Sequence, residues 1–326
     1  MGSTLLLTGA SGFVGRALAM FLVQKKGLNV RCASRQALNL DGVDSIVIPT
    51  LDSTSDWSTH LSGIKTVIHC AARVHVMNET ATDPLALFRQ INVDGTMRLA
   101  EQAALAGVQQ FIFLSSVKVN GEQTELGRPF KETDAPCPMD AYGTSKYEAE
   151  QALIALSARS SMAVTIIRPP LVYGPGVGAN FRNLMQIVKM GVPLPLASVR
   201  NLRSFVYLGN LIDFIAGCID HPNAMNQTFL ISDGFDMSTP ALLQRAAKAL
   251  NKPARLFPFS PTLLSLVAQF LGRKSMADRL CQCLQVDISK ARTQIDWQAP
   301  FNVMYGIQET ADALLKEAHH QGQQKK

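Results

Sequence analysis

Charge is sparse in this chain of 326 residues: Lys, Arg, Asp and Glu make up 17 %, against 47 % hydrophobic residues. That balance excludes a solvated, disordered polyelectrolyte and describes a folded globular protein long enough to bury a sizeable core. Basic residues exceed acidic ones only by 31 to 25 and are scattered along the chain. Nucleic acid is therefore not an expected partner, whereas a small anionic substrate is. Cysteine is equally thin. Cys32, Cys70, Cys137, Cys218, Cys281 and Cys283 form no CxxC pair and no Cys/His metal spacing, only one CxC. A disulfide framework and a metal site are thereby set aside in favour of reduced thiols in a cytoplasmic protein. No long apolar run is present either. "PTLLSLVAQFLG", residues 261–272, is too short to span a bilayer and reads as a core or subdomain helix, with docking on a membrane or partner as the weaker alternative. The N-terminus lacks the charged region and cleavage site of a signal peptide.

What is present is alternation. "STLLLTGA", "NVRCAS", "SIVIPTL", "KTVIHCAA", "QFIFLSS" and "AVTIIRP" are short, apolar throughout and separated by helical patterns, among them about 84–106 and about 141–158. Strands of that kind predict a parallel sheet covered on both faces, a doubly wound α/β fold of the Rossmann type with its ligand at the carboxyl ends of the strands. Residues 1–170 form the expected dinucleotide-binding domain, with 204–234 rejoining it. After the Pro/Gly-rich "PPLVYGPGVG" the texture changes, and 171–203 with 235–320 are expected to build a smaller C-terminal lobe that binds substrate. Residues 321–326 read as a disordered tail.

"TGASGFVG" sets Gly9, Gly12 and Gly15 between the first strand and the first helix. Glycines there let the backbone turn tightly against a pyrophosphate while the helix N-terminus offers free N–H groups, so Ser11, Phe13 and Val14 join them as a dinucleotide cradle. The second strand ends in "RCASRQ", with Arg35 and no acid before Asp41. A guanidinium suits a 2′-phosphate, which favours NADP(H) and leaves NAD(H) as the alternative. Asp52 is a candidate for the adenine amino group or an ordinary turn aspartate. "AYGTSKYEAE" places Tyr142 one helical turn before Lys146, a spacing that is ordinary on helices and gains meaning only from its surroundings.

Those surroundings resemble the extended short-chain dehydrogenase/reductases, the NAD-dependent epimerase/dehydratase family in its nucleotide-sugar branch. The likeness runs through TGASGFVG, "VIHCAA", "INVDGTMRLAEQA", "FIFLSSVKVNG", Tyr142 to Lys146, "RPPLVYGPG", "RSFVYLGN" and "VDISKARTQIDW". The resemblance implies that Tyr142 is the general acid/base, that Lys146 stabilises its phenolate and binds the nicotinamide ribose, and that Ser116, rather than Ser115, orients the substrate oxygen. It further implies cofactor contacts from Ala71, Ala72, Asn92 and Pro169, a structural role for Asn92 being an equal reading. Arg203, Arg279 and Asn180 would hold the nucleotide sugar, and a homodimer would pair through the two long helices.

Departures narrow the expected reaction. Val117 and Lys118 stand where dehydratases of the family carry an Asp-Glu pair, so dehydration is not expected. The acidic ribose ligand and the asparagine typical of UDP-galactose-type epimerases are missing, with Leu171 in "RPPLVYG". In detail "SSVKVNGE" and "RPPLVYGPGVGANF" resemble bacterial reductases of a UDP-4-keto-6-deoxy-N-acetylhexosamine in surface-polysaccharide synthesis, so the resemblance implies that reduction as the leading expectation, with a UDP-sugar 4-epimerase as the alternative. An intact Ser116, Tyr142 and Lys146 argue against a scaffold protein. Arg203 and Arg279 argue against an uncharged ketone, which has no diphosphate for them to bind.

Overall fold

A computed structural model describes residues 4–74, 83–272 and 274–323. Nine strands are present among the described residues: β1 (Thr4–Thr8), β2 (Asn29–Ser34), β3 (Asp44–Val47), β4 (Ile64–His69), β5 (Gln110–Leu114), β6 (Ala163–Arg168), β7 (Leu171–Tyr173), β8 (Phe205–Tyr207) and β9 (Gln227–Leu230). Seven of them make one all-parallel sheet in the order β3-β2-β1-β4-β5-β6-β9. Alternate residues of β1 face opposite layers. Leu5 and Leu7 pack with α1 (Phe13–Met20) and the later α6 (Leu208–Cys218), while Leu6 packs with α3 (Thr96–Leu105) and α4 (Ala141–Ser157). Both faces are buried, which is why the strands are apolar throughout.

The helix expected over about 84–106 consists of α2 (Pro84–Arg89) and α3 joined by a π-wide turn, Gln90–Gly95, that carries Asn92. Asp83 caps it, accepting from Ala86 N at 3.0 Å, and Pro84 begins it where no N–H is missed.

Within 204–234, only β9 enters the large sheet, beside β6. Strand β8 instead pairs with β7 in a separate parallel ladder. The cause is local: β6 ends at Arg168 because Pro169 and Pro170 have no N–H for a continuing ladder, and the chain leaves the sheet before β7. Beyond them α5 (Ala179–Lys189), α7 (Thr239–Ala249) and α11 (Val303–Gln323) share a second core around Tyr173, Phe181, Met185, Leu243, Ile307 and Ala311. The smaller helices α8 (Pro261–Phe270), α9 (Lys274–Cys281) and α10 (Ser289–Gln294) complete the chain. Helix α11 carries residues 321–323, which the sequence assigns to a disordered tail; 324–326 lie outside the described residues. No helix among the described residues is long and apolar enough to cross a membrane.

Candidate active site

The strand order reverses on either side of β1 and β4, so their carboxyl ends open the crevice where such sheets bind ligands. Gly9 leaves β1 with φ +72°, and Gly12 N donates to its carbonyl at 2.9 Å. A Cβ on Gly15 would lie 2.2 Å from Gly9 O, and one on Gly9 only 2.6 Å from Ala71 N at the end of β4. The turn therefore closes on both the helix and the neighbouring strand, leaving no room for side chains. No side chain caps α1, whose N-cap is Gly12. The first-turn N–H groups around Phe13, Val14 and Gly15, with the exposed Ser11, are left for an anion at the positive end of the helix. This cradle fits a dinucleotide pyrophosphate, with Ala71 and Ala72 half-buried alongside.

At the carboxyl end of β5 the structure brings Ser116, Tyr142 and Lys146 together. Lys146, only 1 % exposed, donates to Leu114 O at 2.8 Å and stands 4.3 Å over the Phe113 ring. Burial pushes its ammonium down to about 8, against Cys70 and Glu150, which favour the charged form. Burial and then Asp140 push the Tyr142 phenol up to about 12, while a hydrogen bond from the Ser116 side chain pulls it back. Ser116 also caps a short turn, accepting from Lys118 N at 3.2 Å. Ser115 is turned away, donating to the buried Glu150 carboxylate at 2.5 Å.

Asn92 is enclosed by the scaffold. It accepts from Arg73 N at 2.8 Å and donates to Arg73 O and Ser145 Oγ, both at 3.0 Å, and Ser145 Oγ bonds Tyr142 O at 2.8 Å. The π-wide turn thus positions the Tyr142 helix against the chain leaving β4. Pro169 is buried at the end of β6, its carbonyl accepting from Val117 N at 3.0 Å.

Of the outlying residues, Arg35 is exposed just beyond β2 with no ion pair among the described residues. Asp52 forms a turn, its Oδ1 accepting from Thr54 N at 2.8 Å and Thr54 Oγ1 at 2.7 Å. Arg203 donates to Gln282 O at 3.0 Å. Burial, with the like charge of Arg279 adding to it, pulls its guanidinium down to about 10. Two guanidiniums that repel one another are suited to share an anion. Asn180 lies in the first turn of α5, but its side chain falls outside the described residues.

The model of the NAD dependent epimerase/dehydratase family matches residues 5–232, more than half of the chain. The protein belongs to that family. A UDP-glucose 4-epimerase of Vibrio cholerae is 45 % identical over 317 residues, 97 % of each chain. An N-acetyl-α-D-glucosaminyl-diphospho-ditrans,octacis-undecaprenol 4-epimerase of Escherichia coli O157:H7 is 27 % identical over 95 % of each. Among solved structures, a UDP-glucuronic acid 4-epimerase from Bacillus cereus in complex with NAD superposes with a TM-score of 0.78 at 20 % identity over 96 % of both chains, a likeness of fold.

Within this epimerase/dehydratase frame the structure adds residues that no sequence spacing marked. Lys118 donates to the Asp140 carboxylate and, at 3.1 Å, to Glu122. Asp140 is the N-cap of α4, accepting from Gly143 N at 2.7 Å; an aspartate before a helical run is a readable cap, but its lysine partner is not. Beneath them Glu150 takes both Ser115 and Arg168, the latter at 2.9 and 2.5 Å, and Arg168 reaches Asn120 at 3.0 Å. This buried network fixes the ends of β5 and β6 relative to α4.

Proposed function

We propose that the protein is a UDP-sugar 4-epimerase acting on UDP-glucose and UDP-galactose or their N-acetylamino counterparts. The observation that carries this reading is the meeting of Ser116, Tyr142 and Lys146 at the carboxyl end of β5, in a chain 45 % identical over nearly its full length to a UDP-glucose 4-epimerase. The leading expectation from sequence, a 4-keto-6-deoxy reductase, rests on Arg35, Val117, Lys118 and Leu171 and on a likeness to bacterial reductases. The relatives favour the alternative. Their family name and the solved neighbour's ligand likewise favour NAD over the NADP(H) that Arg35 suggested.

The chain's own contribution is proton handling and orientation. Ser116 positions the C4 oxygen. Tyr142 takes the hydroxyl proton as C4 becomes a carbonyl and returns it when the carbonyl is reduced from the other face, so protons and electrons balance over the cycle. Lys146 supplies the positive charge that stabilises the phenolate. When bound, NAD supplies the hydride acceptor and donor for C4. Val117 and Lys118, in place of an acid pair, offer no second acid and base for removing water. Arg203 and Arg279 neutralise the substrate diphosphate.

The test is to supply purified protein with UDP-glucose, UDP-galactose, their N-acetylamino forms, a UDP-4-keto-6-deoxy sugar and a polyprenyl-diphosphate-linked N-acetylglucosamine. Interconversion of UDP-linked 4-epimers without net cofactor consumption is expected, and Tyr142→Phe should reduce it by about 10²-fold or more. Stoichiometric NADPH oxidation by the 4-keto sugar alone would replace this reading with the reductase. Turnover of the lipid-linked sugar alone would move the substrate from a nucleotide to a lipid carrier.

A further inference from the structure

Helix α8, expected from "PTLLSLVAQFLG" to be a core or subdomain helix, packs on the small lobe through Leu264 but has no buried residue. Its exposure is also organised. Leu263, Leu266, Val267 and Phe270 follow the i, i+3, i+4, i+7 pattern that aligns side chains along one helical face. The first three are 53, 47 and 49 % exposed and Phe270 is 91 % exposed. Leu264, on another face, packs against the core of the small lobe and anchors the helix. Leu271 and Phe257, just after and before the helix, are exposed as well.

The charge of the stretch of chain that carries this stripe is one-sided. From Met237 through Ala277 the chain has no Asp or Glu, yet it holds Arg245, Lys248, Lys252, Arg255, Arg273 and Lys274. The rest of the chain, with 25 basic and 25 acidic residues, is balanced, so this stretch carries the whole net charge of +6. Lys248, Lys252 and Arg255 are exposed on the approach to α8 and Lys274 is exposed beyond it, and none has an ion pair among the described residues. The family model ends at residue 232, so the segment lies outside the part of the chain that defines the family.

We propose that α8 docks the protein on the surface of an anionic lipid bilayer, its apolar stripe entering the headgroup boundary while Lys248, Lys252, Arg255 and Lys274 meet the lipid phosphates. An apolar stripe bracketed by unpaired cations is what an interfacial helix requires. A second copy of the chain is the poorer occupant, because a self-complementary contact sets these cations against themselves. The docking is independent of which sugar the enzyme turns over.

The experiment is co-sedimentation of the full chain with vesicles of equimolar phosphatidylglycerol and phosphatidylcholine, and with vesicles of phosphatidylcholine alone. The anionic vesicles should bind at least about tenfold more protein at low salt, with the advantage lost at high salt. Leu266→Ser with Phe270→Ser should lower the apparent partition coefficient about tenfold, and Lys252→Glu with Arg255→Glu by at least as much, with unchanged thermal midpoints. Phe270→Trp provides a readout that needs no disruptive change: the emission of the added indole should shift to the blue on anionic vesicles. Absence of sedimentation with the anionic vesicles, equal binding to the neutral ones, or an unshifted emission from the Phe270→Trp variant would overturn the proposal. So would a serine variant that dissociates an oligomer while vesicle binding is retained, which would make the face a contact between copies.

Discussion

Lys118 holds the carboxylate of Asp140, and Asp140 caps the helix whose second residue is Tyr142. The aspartate therefore does two things at once: it secures the first turn of α4 and it raises the pKa of the phenol, while the Lys118 cation paired with it reduces the net negative charge that the phenol faces. Lys118→Met leaves that carboxylate uncompensated, so the phenolate becomes harder to form. The acidic limb of the kcat/KM profile should move up by about one pH unit, and Lys118→Arg should restore it. Asp140→Asn keeps a capping oxygen and removes the charge, so its limb should move down. Shifts of the same sign in Lys118→Met and Asp140→Asn would dissociate the pair from the tyrosine.

Lys146 gives a second pH dependence, in stability. Burial lowers its folded pKa to about 8 from an ordinary 10.5, so above about pH 8 the folded state binds fewer protons than the unfolded one. Stability should then rise with pH through this window, because the cost of keeping a buried ammonium charged is relieved. Above pH 10 the Tyr142 phenol, held up to about 12, acts in the opposite direction. Lys146→Met has no such proton to lose, and its urea midpoints supply the reference. Relative to that variant the wild-type protein should gain about 2 kcal/mol between pH 8 and 10, whichever of the two is the more stable at neutral pH. Parallel curves would show that the lysine is not desolvated as its surroundings imply.

The glycine cradle makes a graded prediction. A Cβ at Gly15 meets the Gly9 carbonyl at 2.2 Å, a backbone atom that cannot turn aside, whereas one at Gly12 meets the same oxygen at 3.2 Å. Gly15→Ala should weaken NAD binding more than tenfold and cost about 1–3 kcal/mol of stability, with Gly12→Ala clearly milder on both. Calorimetric titration and thermal unfolding of the two variants decide it. Equal losses would mean that closeness within the turn is not what excludes side chains.

Much of this site is legible in the sequence because its signals are local. The TGASGFVG turn, the apolar strands and the Tyr142 to Lys146 spacing each declare themselves within a dozen residues, and a parallel sheet follows from strands without polar alternation. What escapes such reading depends on contacts distant in sequence or on the direction a face points. Lys118 meets Asp140, and Glu150 meets Arg168, only once β5, β6 and α4 are packed. Strand β8 pairs with β7 away from the sheet, although the 204–234 segment that carries it reads as able to rejoin the sheet. Helix α8 escapes because apolar periodicity reports a face without reporting what lies opposite. Asn92, read equally as support or active-site group, is engaged by its backbone and Ser145 partners, a role visible only where the π-wide turn meets the end of β4.

Arg35 separates the question of which cofactor is preferred from the question of what the guanidinium does. It stands exposed at the carboxyl end of β2, where an adenosine ribose would lie in a doubly wound fold, and no carboxylate among the described residues neutralises it. The family is named for NAD dependence, and the 2′-hydroxyl of NAD gives Arg35 no anion to bind. Arg35→Ala should therefore leave the Kd for NADH within about twofold while weakening NADPH about tenfold, the worth of one exposed charge-assisted contact to a phosphate. Fluorescence titration of both reduced cofactors against the wild-type and variant proteins provides the comparison. Equal weakening of the two would place Arg35 against the pyrophosphate or the fold itself, and an unchanged NADPH affinity would return it to the status of a solvated loop charge.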